Sequence, residues 1–88
     1  MEQILEELEK KRIIPVVMLR NIADAKPLAQ ALCDGGLPCA EITFRTETAA
    51  DCIKIISEEF PKMLVGAGTV LTTVQADQAM KAGAKFIV

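Results

Sequence analysis

The stretch AEITFRTET, residues 40–48, sets an acid, a hydroxyl and a guanidinium at alternate positions of an otherwise apolar run. Side chains of a strand alternate between its faces, so Glu41, Thr43 and Arg45 share one face while Ile42 and Phe44 share the other. A parallel strand covered on both sides is almost continuously apolar, so this polar face asks for a use. In a parallel barrel, the C-terminal ends of the strands face the reacting centre. A partly desolvated carboxyl there has a raised pKa and can move protons near neutral pH. The structural alternative is a buried pair between Glu41 and Arg45, which costs desolvation for little stability. The residues alone leave both open.

Two arginines close apolar runs, Arg20 in VVMLR and Arg45 in EITFR. A guanidinium is a planar fork for carboxylate or phosphate, and two at equivalent strand ends suit a small anionic ligand. For Arg20 by itself, a solvated loop arginine is the better account. In GAGTV, 66–70, Gly66 and Gly68 let a ligand approach the backbone, and the turn presents Thr69 at a strand end. This is not a dinucleotide fingerprint, because Leu71 stands where the third glycine belongs. Lys62, Lys81 and Lys85 fall at helix ends or strand starts, away from Glu41, and read as solvated surface charges. The chain has no histidine, which excludes Ser-His-Asp and Cys-His catalysis within it. Cys33, Cys39 and Cys52 show no C-x-x-C spacing and read as reduced, mostly buried thiols; no metal site and no cofactor is indicated.

The elements that must position these groups alternate. Residues 2–11 read as a short helix, and IIPVVML, 13–19, as a strand. Asp24 suits an N-cap with Pro27 in the first turn, and Gly35-Gly36 ends that helix. A strand over about 40–44 follows. Ala49, Cys52, Ile53, Ile56 and Phe60 then form one helical stripe that stops at Pro61. MLVGAG, 63–68, is a strand, Thr72 and Gln75 fit a capping box, the next helix ends near Gly83, and KFIV, 85–88, begins a fourth strand. This order predicts an α/β fold of parallel βα units with right-handed crossovers, preceded by a short helix, with residues 1–88 as a single segment.

Eighty-eight residues, 51% of them hydrophobic, make one globular domain at most. The net charge of −2 and the lack of a basic block give no reason to expect a nucleic-acid partner. No apolar run reaches the roughly 18 residues of a membrane span, and MEQILEELEKKR has no central apolar region of the signal-peptide kind, so a cytoplasmic location is expected. The apolar run at 85–88 meets no turn or cap. It is expected either to pair with something or to belong to a longer sequence.

IIPVV, AxxLxxGG, EITFRTE, VGAGTVL and AGAKFIV, in this order and spacing, resemble the 2-keto-3-deoxy-6-phosphogluconate (KDPG) aldolases, many of which also cleave 4-hydroxy-2-oxoglutarate. The resemblance covers nearly all of the chain, and EITFRT followed by VGAGTVL is its most specific part. It implies a TIM barrel, usually trimeric, that is a metal-independent class I aldolase. Such an enzyme cleaves the sugar acid phosphate to pyruvate and glyceraldehyde 3-phosphate through a lysine Schiff base, with no cofactor. By resemblance, Glu41 matches the general acid/base, Arg45 and Thr69 match groups at the pyruvate carboxylate, and Arg20 matches an arginine at the end of the first strand. The family's Schiff-base lysine lies on a later strand, so this chain reads as the N-terminal half of the barrel. Alone, it is expected to be inactive by that route, since the amine that forms the imine is missing. The expected partners are a keto acid or sugar acid phosphate and either further copies or a complementary C-terminal half. The rival readings are a self-associating half-barrel module and a keto-acid-binding module without catalysis.

Overall fold

The computed structural model describes residues 14–88; the expected helix over 2–11 and the first residue of the expected first strand lie outside them. The element order is β1 (Val16–Val17), a 3₁₀ turn (Ile22–Asp24), α1 (Ala25–Asp34), β2 (Cys39–Thr43), α2 (Ala49–Glu59), β3 (Leu64–Gly68) and α3 (Thr73–Ala82). The strands form a sheet of order β1-β2-β3, both pairings parallel. The expected fourth strand is an isolated parallel bridge between Ala67 and Ile87. Around it Lys85 N donates to Val65 O at 2.8 Å, Ala67 N to Phe86 O at 2.9 Å and Val88 N to Ala67 O at 2.8 Å. Residues 85–88 thus flank β3 on the side away from β2.

The period-two pattern sorts the sheet into two chemistries. Ala40, Ile42, Val65 and Ala67 face the helices and join Ala25, Ala29, Ala49, Cys52, Ile53, Ile56, Ala79 and Ala82 in one buried cluster. Alanine at many helix contacts lets the helices lie close to the sheet, while Ile42, Ile53 and Ile56 fill the space between. Burying each isoleucine stabilises the fold by about 1.5–3 kcal/mol. Glu41 and Thr43 alternate with that set and point to the opposite face, as the sequence predicts.

Local chemistry sets the boundaries. Asp24 occupies the expected N-cap position of α1, but its side chain makes no capping hydrogen bond. Asn21 lies three residues earlier, and its Oδ1 accepts from Ala23 N at 3.0 Å to start a 3₁₀ turn that runs into α1. At α3 the Thr72 hydroxyl accepts from Gln75 N at 3.1 Å, the forward half of a capping box. The Gln75 side chain accepts from Leu71 N rather than from Thr72 N. The helix closes at Gly83, whose φ of 104° is left-handed and suits glycine. There Ser57 Oγ donates to Ala82 O at 2.9 Å, tying the end of α3 to α2.

β2 ends at Thr43, so Arg45 lies in the turn beyond it rather than inside the strand. That turn is fastened to the segment that follows β1. The hydroxyls of Thr46 and Thr48 both donate to Leu19 O, at 2.6 and 2.8 Å. Two local side chains thus satisfy the acceptor of a carbonyl 27 and 29 residues distant, and fix the loop that carries Arg45.

Candidate active site at the C-terminal edge of the sheet

The ladder register places Val16 beside Glu41, Glu41 beside Gly66, and Thr43 beside Gly68. On the face away from the helices, β3 is therefore bare backbone next to β2's polar side chains. A Cβ at Gly68 would overlap the Glu41 carboxyl group, and one at Gly66 would overlap the Phe86 ring. The two glycines hold the floor open. The Glu41 side chain lies forward across Gly68, which brings its carboxylate to the rung occupied by Thr43.

A cavity of about 420 Å³ opens here, lined by Val16, Met18, Glu41, Thr43, Arg45 and Thr69. Glu41, Arg45 and Thr69, singled out in the sequence, are thus brought together on one site. Arg20 is not: it is exposed beyond the end of β1 and is not among the residues lining this cavity. Thr69 follows Gly68 with φ at 55°, and is the one non-glycine residue with positive φ among the described residues. A β-branched side chain rarely adopts that conformation, which costs on the order of 1–3 kcal/mol. The strained turn is what directs Thr69 at the end of β3 toward the cavity. Val16 and Met18 are the wall that sequence reasoning missed; only the β1–β2 register points to them, since neither side chain carries a chemical signal.

A second depression, of about 600 Å³, lies on the helix side of Arg45 and includes Glu47, Asp51, Gln75 and Gln78. It is larger, but it contains neither Glu41 nor Thr69. Arg45 stands between the two. Among the described residues no lysine lines either space, and Lys85 donates from Nζ to Pro61 O at 2.9 Å. Among the described residues no group of histidine, cysteine or acidic side chains is arranged to hold a metal. No helix among them is long and apolar enough to cross a membrane. None of the three cysteines is in a disulfide, and burial pushes the Cys52 thiol up from its ordinary value, against the opposing hydrogen bond with Thr48.

An acid beside a guanidinium and a hydroxyl, at the C-terminal edge of a parallel sheet, can bind a small carboxylate and move a proton next to it. The comparisons with known proteins show the family. The family model described as KDPG and KHG aldolase matches residues 4–88. A 2-dehydro-3-deoxy-phosphogluconate aldolase of Treponema pallidum is 55% identical over 85 residues, 97% of this chain and 40% of its own. The crystal structure of the KDPG aldolase of Legionella pneumophila, with pyruvate captured as a covalent carbinolamine intermediate, superposes with a TM-score of 0.80. It is 42% identical, over 84% of this chain and 36% of that one. The corresponding enzyme of Zymomonas mobilis ATCC 29191 gives a TM-score of 0.78 at 50% identity, over 84% and 35%. The chain spans about 40% of the length of the curated relatives it matches. With a family match over almost its whole length, and with parallel βα units that superpose on part of the family's barrel, the chain belongs to the KDPG and KHG aldolases.

Proposed function

We propose that this chain supplies the proton-transfer and carboxylate-binding part of a cytoplasmic class I aldolase. The enzyme cleaves KDPG to pyruvate and glyceraldehyde 3-phosphate, with 4-hydroxy-2-oxoglutarate as a second substrate. The observation that carries the reading is the convergence of Glu41, Arg45 and Thr69 on one cavity. In this reading Arg45 pairs with the keto acid's carboxylate through its planar fork, and the Thr69 hydroxyl donates to the same group. Glu41 is the general acid/base. It protonates the oxygen that leaves C2 as water when an amine adds there, takes the C4 hydroxyl proton as the C3–C4 bond breaks to release the aldehyde, and returns a proton to C3 of the enamine that remains. Arg20, exposed beyond β1 and outside the cavity lining, has no keto-acid contact in this reading.

The imine requires a lysine amine in the same cavity, and none of the described lysines lines it. The 88-residue chain alone is therefore expected to bind a keto acid without cleaving KDPG and without a borohydride-trapped pyruvate adduct. The test is a hybrid barrel in which these residues replace the matching segment of the Treponema pallidum relative. Cleavage of KDPG is expected, and Glu41→Gln in the hybrid should lower kcat by about 10²–10⁴-fold, the usual worth of a positioned acid/base. A folded hybrid that cleaves KDPG equally well with glutamine at 41 would refute the assignment.

A further inference from the structure

Thr43 is the polar residue of the cavity whose chemistry the assigned roles leave unused. It is 4% exposed, and its Oγ1 is buried with no hydrogen-bond partner. An unsatisfied buried hydroxyl is unfavourable, and valine has the same shape and equal or better strand preference without it. The hydroxyl sits at the last residue of β2, on the rung it shares with Gly68, where the Glu41 carboxylate also lies. Its partner is neither that carboxylate nor the Arg45 guanidinium nor the Thr69 hydroxyl. Oγ1 and Cγ2 occupy two of the three staggered positions about one bond, so a single rotation turns the hydroxyl toward the cavity that Thr43 lines.

We propose that Thr43 is a ligand-binding residue whose hydroxyl donates to the C2 oxygen of a bound 2-keto acid. The inference rests on the keto-acid reading of the cavity and adds a contact to it. The placement of the groups supports the choice of oxygen. Arg45, past the end of the strand, takes the C1 carboxylate, and the Glu41 carboxylate serves the C2 oxygen and C3. Thr43 is on the same face, one step inward from Arg45 and on the rung where the Glu41 carboxylate lies, so its hydroxyl is next to C2 rather than C1. A hydroxyl at that level distinguishes a keto acid from a simple carboxylic acid of equal length, because only the keto acid offers an oxygen to pair with the otherwise orphaned group.

The test titrates pyruvate and propanoate, which has the same carboxylate and no C2 oxygen, into the chain, Thr43→Val and Thr43→Ser. Thermal unfolding is followed for each protein. Thr43→Val is expected to bind pyruvate roughly three- to tenfold more weakly, the range of one hydrogen bond. Its propanoate affinity and its Tm should be unchanged or raised, and Thr43→Ser should bind pyruvate within about twofold of the unaltered chain. Equal pyruvate affinity with valine at 43 would overturn the contact while leaving the keto-acid reading standing. A loss of both ligands together with a lowered Tm would assign the hydroxyl to the fold and overturn it as well. Failure of the unaltered chain to bind pyruvate would remove the keto-acid reading and this inference with it.

Discussion

Glu41 has its position because Gly68 has no side chain, and this makes the glycine a sensitive place to test the site. Gly68 lies in regular strand, so Gly68→Ala has no backbone strain to overcome, but the new methyl must push the carboxyl group aside. The atoms displaced belong to a flexible side chain, so the cost in stability should stay below about 1 kcal/mol. In the hybrid barrel, cleavage should fall at least tenfold, because a shift of about 1 Å in an acid/base is enough to do so. Gly66→Ala meets the Phe86 ring instead. It should cost about 1–3 kcal/mol by overpacking and should affect cleavage less than its neighbour does. Urea titration and KDPG turnover on the two variants separate the cases. The buried Cys52 thiol gives a pH test. Its pKa is raised in the folded chain by burial, so above the ordinary value of 9.0 the unfolded chain releases a proton that the folded chain keeps. Stability should therefore fall as pH rises past about 9, with a limiting slope of about 1.4 kcal/mol per pH unit for this group. Unfolding titrations between pH 8 and 10 on the chain and on Cys52→Ala, which lacks that contribution, check the sign.

At the scale of elements, the loop after β2 depends on the two threonines that grip Leu19 O. Replacing either by valine leaves one donor on that carbonyl, and replacing both leaves none. Thr46→Val and Thr48→Val should each cost less than about 1 kcal/mol, and the double variant about 1–3 kcal/mol, more than their sum. Thermal unfolding of the three proteins measures this. Much of the element order was legible beforehand, because βα alternation is written in period: β2 carries two-residue alternation, the first strand a β-branched run, and α1 and α2 a helical stripe. The glycine and proline stops at Gly35, Pro61 and Gly83 were legible for the same reason. Other features depend on groups that local sequence does not name. Asp24 stands at the N-cap of α1 as expected, but the side chain that accepts from an amide is that of Asn21, at the 3₁₀ turn before it. The expected strand over 13–19 pairs regularly only at Val16–Val17, because the ladder to β2 extends no further, although Pro15 O still accepts from Glu41 N at 2.8 Å. Glu41, Arg45 and Thr69 were legible as a site because their polarity conflicts with a buried sheet. Val16 and Met18 conflict with nothing and required the register.

For the molecule as a whole, the face that carries the cavity also carries exposed apolar side chains. Val16 is 66% exposed, Met18 45% and Val88 69%, and all three belong to the sheet or its flanking segment. If roughly 400 Å² of such surface were covered, at about 25 cal/mol per Å² the gain would approach 10 kcal/mol, comparable to the stability of a small domain. We therefore expect the 88-residue polypeptide to associate at micromolar concentration, with sedimentation above its monomer mass of 9.5 kDa; a monodisperse monomer that binds no hydrophobic dye would contradict this. Val16 and Met18 also line the cavity, so the associating surface borders its wall. The most direct measurement of the central claim is a pyruvate titration of the assembled chain followed by backbone amide resonances. The account predicts saturable shifts centred on Thr43, Arg45, Gly68 and Thr69. Shifts confined to Glu47, Asp51, Gln75 and Gln78, or no saturable shift at all, would contradict it.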